Sequence, residues 1–71
     1  MDFPRAAAVA KMLRAQCEAA PRNYRLGNEA GLARNLGIGR RTMRSAVREL
    51  ERQGIVRVDR GRNGGLFVNA P

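Results

Sequence analysis

Arg40, Arg41, Arg44, Arg48 and Arg52 all fall within the stretch RRTMRSAVRELERQ, residues 40–53. Wound as a helix at about 100° per residue, this stretch places Arg41, Arg44, Ser45, Arg48 and Arg52 on one side and Met43, Ala46, Val47 and Leu50 on the other. The chemistry of such a face is binding rather than bond-making. A guanidinium is a planar fork of donors that fits phosphate oxygens and the O6/N7 edge of guanine, and a cationic stripe fits a polyanion. Arg40 and Arg41 also occupy the first turn, where the helix dipole is positive and a cation costs about 0.3–1 kcal/mol. A helix chosen only for stability starts with Asp or Glu, and a broken local rule tends to mark function. A second basic group, Arg60 and Arg62 around Gly61, lies in the glycine-rich run RGRNGG. Glycine there lets the backbone lie close against another surface.

The rest of the composition limits what these residues can serve. The chain has 71 residues, fourteen Lys and Arg against six Asp and Glu, and a net charge of +8. A chain of this length forms one domain that buries about 60% of its unfolded surface, with no second domain to frame a deep substrate pocket. The usual partners of so basic a chain are nucleic acid or an anionic membrane surface. Lys11 is the only lysine; a high-GC coding bias would produce the same arginine skew, so the skew alone decides nothing. There is no histidine and no paired-carboxylate or nucleophile–base arrangement, which argues against an enzyme, a zinc finger and any metal or cofactor site. Cys17 is alone, which fits a reducing compartment and a buried thiol on an apolar stripe. No apolar run reaches the roughly 18 residues of a membrane span. Asp2, Lys11 and Arg14 interrupt the Ala-rich start and argue against a secretory signal. The expected setting is cytoplasmic, on the nucleoid.

Three helices and a hairpin are expected to position the two basic groups. The first helix spans approximately 4–19, opened by Asp2 or Phe3 with Pro4 in its first turn, and buries Val9, Met12, Leu13 and Cys17. Pro21 closes it. A polar connector follows, Arg22 to Arg25, with Tyr24 and Leu26 as a short extended piece before Gly27. Asn28 caps a second helix, approximately 29–36, whose Glu29 suits the dipole and whose Leu32, Ala33 and Leu36 point inward. Gly37-Ile38-Gly39 is a tight turn into the third helix, approximately 40–53, and two helices so joined make a helix-turn-helix. Gly54 ends the third helix. Residues 55–69 then form a β-hairpin, Ile55–Asp59 and Leu66–Val68, with Arg60, Gly61 and Arg62 at its tip. The expected fold is mainly α with a small β-hairpin, a winged helix-turn-helix over residues 1–71.

In that fold the third helix enters a major groove and the wing touches the neighbouring backbone or minor groove. Eight of the fourteen basic residues lie between Arg40 and Arg62, the clustering a nucleic-acid footprint requires. Arg40, Arg41, Thr42 and Arg44 at the helix start are the expected readers of bases and phosphates, with Arg44 assigned to guanine. Ser45 shares their face. Arg48 and Arg52 are backbone contacts or solvated, Arg48 could pair with Glu51, and Glu49 and Glu51 are solubilising.

The run Leu26 to Val68 resembles the N-terminal domain of GntR-type transcription regulators. Leu32-Ala33, Leu36-Gly37-Ile38, Arg40, Thr42-Met43-Arg44, Ala46-Val47, Leu50, Gly54 and Gly64-Gly65-Leu66-Phe67-Val68 all fit that family's pattern. The DeoR-type domain is the nearest competitor. The resemblance implies that Arg40, Arg41, Thr42 and Arg44 meet DNA and that Arg60, Gly61 and Arg62 are wing contacts. Three departures stand out. Ala30 replaces the usual arginine after the helix-two glutamate, Gly39 replaces the usual serine, and Leu26-Gly27-Asn28 alters the usual entry.

The expectation is therefore sequence-specific binding of double-stranded DNA by a domain of a bacterial transcription regulator, a repressor by resemblance, acting on a palindromic operator. It would form a homodimer on DNA or through a C-terminal domain outside this chain, and it would hold no small-molecule site itself. The competing classes are a non-specific or RNA-binding basic domain and a winged helix used for protein interaction.

Overall fold

A computed structural model describes residues 4–62 and 64–69. The order is α1 (Pro4–Ala19), β1 (Arg25–Gly27), α2 (Glu29–Leu36), α3 (Arg40–Arg52), β2 (Val56–Asp59) and β3 (Gly65–Val68). This is a winged helix-turn-helix, three helices carrying a small antiparallel sheet. The expected helix opener at Asp2 or Phe3 and the turn residue Asn63 lie outside the described residues.

The helices meet around α3. Met43, Ala46, Val47 and Leu50, the stripe expected from periodicity, are all buried. They join Val9, Leu13 and Cys17 of α1, Ala33 of α2, and Val56, Leu66 and Val68 of the sheet in one cluster. Each large apolar side chain so buried contributes about 1.5–3 kcal/mol relative to exposure. Met12 departs from expectation. It is 41% exposed, because α1 turns Val9, Leu13 and Cys17 inward at i, i+4 and i+8, while Ala6 and Ala10 fill the adjoining line of contact.

The hairpin expectation is extended by a third strand. The extended piece after Tyr24 pairs with the wing as β1, giving the order β1-β3-β2 with both pairs antiparallel. Asn23 donates its backbone N–H to the Val68 carbonyl, and Val68 donates back to Tyr24, each at 2.9 Å. These bonds seat the wing's base on the α1–α2 connector. Strand limits shift by one residue: β2 starts at Val56 and β3 at Gly65. The third helix ends at Arg52, with Gln53 as its cap.

Candidate nucleic-acid interface

The two helices of the helix-turn-helix begin in opposite ways. At α2 the Asn28 side chain accepts a 2.6 Å bond from the Gly31 N–H, and Glu29 sits in the first turn. Its far end is closed by Gly37 at φ 67°, a left-handed residue, with Ile38 donating to the Ala33 carbonyl at 3.0 Å. At α3 the cap position is Gly39, which makes no side-chain bond, and the first turn holds no acid. Among the described residues, the opening N–H groups of α3 are thus left without a side-chain acceptor beside Arg40 and Arg41, both exposed. A phosphate placed there would meet backbone donors, the positive end of the dipole and two guanidinium groups.

The other expected contacts divide by their neighbours. Arg44 is exposed, and its Nε lies 3.8 Å from the Glu29 carboxylate at the start of α2. That loose pair orients the arginine without neutralising it. Thr42 and Ser45 are half-buried. Ser45 lines the flank of α3 that faces α1, in an open groove of about 600 Å³ with Ala6, Ala10, Lys11, Glu49 and Gln53. Arg48 is exposed, and among the described residues it pairs with nothing, Glu51 included.

Glu49, expected to be merely solubilising, binds its neighbours instead. Its Oε2 accepts from Arg52 Nη2 and, at 2.6 Å, from Gln53 Nε2. The Arg52 hydrogen bond, followed by that of Gln53, holds the Glu49 carboxyl below its ordinary range, and the same pairing raises Arg52. An i,i+3 Glu–Arg pair is visible in the spacing and could have been read there. Cys17, the one strongly buried titratable group among the described residues, is pushed up by burial and secondarily by Glu18.

At the wing, Arg60, Gly61 and Arg62 are exposed. Gly61 has φ 118°, a conformation side chains avoid, and it accepts the Gly64 N–H at 3.1 Å. Any Cβ on Gly64 would fall on the Asp59 carbonyl, so this turn cannot take a larger residue there. Arg57, by contrast, is engaged within the sheet. It donates to Asn23 Oδ1 at 2.9 Å, lies 3.5 Å from Asp59, and stacks its guanidinium 4.9 Å from the centre of the Phe67 ring. Phe67 therefore faces out beneath Arg57, while Leu66 and Val68 on either side enter the core.

The fold and this basic surface define a winged helix with two cationic groups, one at the start of α3 and one at the wing tip. No family model matches the chain, and no solved structure matches it. The chain is similar to RmpR of Mycobacterium gastri, a protein assigned as an HTH-type transcriptional regulator, with 48% identity over 44 residues. That stretch is 62% of this chain and 16% of the relative. No helix among the described residues is long and apolar enough to cross a membrane.

Proposed function

We propose that this chain is a DNA-binding domain of a transcription regulator and reads duplex DNA through the N-terminal part of α3. The observation that carries the reading is the start of α3: exposed, without a side-chain cap, and led by Arg40 and Arg41. A polyanion supplies what that helix end lacks. In this reading Arg40 and Arg41 meet phosphates or base edges, and Thr42 and Arg44 meet bases, Arg44 at guanine. Arg48 contacts the backbone and Ser45 lies at the edge of the footprint. Arg60, Gly61 and Arg62 touch the backbone beside the wing. The similarity to a regulator of the HTH type supports the assignment. The motif positions from Leu32 to Val68 favour the GntR type and a repressor acting on the nucleoid in the cytoplasm.

The domain's longest dimension is 29 Å, and half-sites one turn apart are centred about 34 Å from each other. One copy therefore covers one half-site, and tight binding to a palindrome takes two. Stacking of single strands needs exposed aromatic rings. Among the described residues only Tyr24 offers one, since Phe67 lies under Arg57. Selection from a random duplex library, with single-stranded RNA as competitor, tests the reading. A recovered consensus that RNA fails to displace is expected. Displacement by RNA, or recovery of no consensus, would remove it.

A further inference from the structure

We infer that Arg25 is a positioning residue for the wing, holding the tip that carries Arg60 and Arg62; its bearing on DNA rests on the reading above. By sequence Arg25 belongs to a polar connector and counts as one more surface cation. In the fold it stands in β1 opposite Phe67 of β3, and its side chain runs back along β3 to the wing. Arg25 Nη2 donates to the Gly64 carbonyl at 2.8 Å, across 39 residues of chain.

The far end of that bond matters most. Gly64 is the residue at which the tip closes on itself, through its N–H to Gly61 and its close approach to Asp59. A tie on the Gly64 carbonyl therefore holds the described part of the tip, Gly61 included, against β1. A second contact places the guanidinium independently. Its Nε and Nη2 lie 3.1 Å from where a Cβ on Gly65 would stand, and Gly65 has φ 148°. The planar group lies against bare backbone, a fit that a side chain at position 65 would abolish. The register shift between Arg25 and Gly27 marks an irregularity in β1 at this point, and such bulges re-aim side chains. A lysine has one ammonium in place of the fork and cannot occupy both places at once.

The test pairs Arg25→Gln and Arg25→Lys, each alone and combined with Arg60→Ala/Arg62→Ala. Binding to a selected duplex is followed by anisotropy across a salt series, and the backbone amides of Gly61 and Gly64 by nitrogen-15 relaxation without DNA. Both single variants should lose about three- to tenfold in affinity, because a loosened tip seats Arg60 and Arg62 on phosphates less completely. Arg25→Lys keeps its charge, yet its salt slope should flatten by about 1, since about one phosphate contact's worth of engagement is lost at the tip. Neither substitution should add a further loss once Arg60 and Arg62 are gone. Both should raise fast motion at Gly61 and Gly64 in the free protein. Full affinity in Arg25→Lys, or losses that add to those of the tip variant, would make Arg25 a direct phosphate contact and overturn the proposal. Unchanged relaxation at both glycines would overturn it as well. That measurement needs no DNA, so it stands even if the wild-type chain fails to bind duplex, which would sink the DNA reading alone.

Discussion

Raising salt should weaken duplex binding by an amount the structure sets. From Arg40 to Arg62 the chain holds eight arginines. Arg52 is held by Glu49, Arg57 by Asn23 and Asp59, and Arg44 is assigned to a base beside Glu29. Removing those three leaves Arg40, Arg41, Arg48, Arg60 and Arg62 to meet phosphates. Each phosphate neutralised on B-form DNA contributes about −0.9 to the slope of log K against log salt, so the expected slope is about −4.5. Between 50 and 200 mM salt that is a loss of about 500-fold, whereas eight contacts would give a slope near −7 and a loss of about 20,000-fold. Fluorescence anisotropy of a labelled duplex over that range separates the two. Glu49→Gln offers an internal control: with Arg52 released, the slope should steepen by about 1. A wild-type slope near −7 would mean that the intramolecular pairs open on DNA. A slope flatter than about −2 would remove the electrostatic footprint and with it the proposed interface.

Arg44→Ala should cost about 1–3 kcal/mol on the selected sequence and relax discrimination at one base pair, as read by binding to single-substitution duplexes; equal weakening on random DNA would deny it a base contact. Gly39→Asp should raise the stability of the free domain in chemical denaturation by about 0.5–1 kcal/mol and yet weaken duplex binding, because position 39 has φ −73° and open space for a Cβ. Gains in both quantities would refute a phosphate at that helix end. Cys17 is 3% exposed and its thiol is pushed up by burial. At neutral pH it should therefore alkylate slowly in the native protein and quickly in denaturant, and rapid native modification would contradict its place in the core.

The helical half of the fold was legible because its signals are local. Asn28, Gly37 and the stripe of Met43, Ala46, Val47 and Leu50 each announce their element within a turn or two of chain, and they stand where periodicity puts them. The sheet was less so. That Arg25–Gly27 pairs with β3 is a contact across some forty residues, and a three-residue strand with one glycine carries almost no propensity signal. Met12 departs from its expected place for a related reason. Ala-rich α1 has weak polar contrast around its circumference, so the pattern did not say that Ala6 and Ala10 would pack in its place. At the candidate site the identities of the arginines were readable and their partners were not. Arg52 with Glu49 sits at readable i,i+3 spacing, but Arg57 with Asn23 and Arg25 with Gly64 exist only once the sheet has formed.

Those partners change what a count of charge means. Net charge treats each arginine alike, yet Arg25 and Arg57 turn their guanidinium groups to a carbonyl, an amide and a ring of the small sheet and its connecting turns. They stiffen the scaffold that presents the others. The arginines with no partner among the described residues include the pair at the start of α3, where a cation is locally unfavourable. Earlier in the chain, at the start of α2, Asn28 and Glu29 give that helix the cap and the acid that α3 lacks. Simple helix chemistry was thus within reach of this sequence at both positions and is used at only one. The stability forgone at Gly39 is small, about that of one cap interaction, and it is recovered only when an anion occupies the helix end. Binding and folding therefore draw on the same N–H groups, which is why a side-chain cap there should strengthen one at the expense of the other.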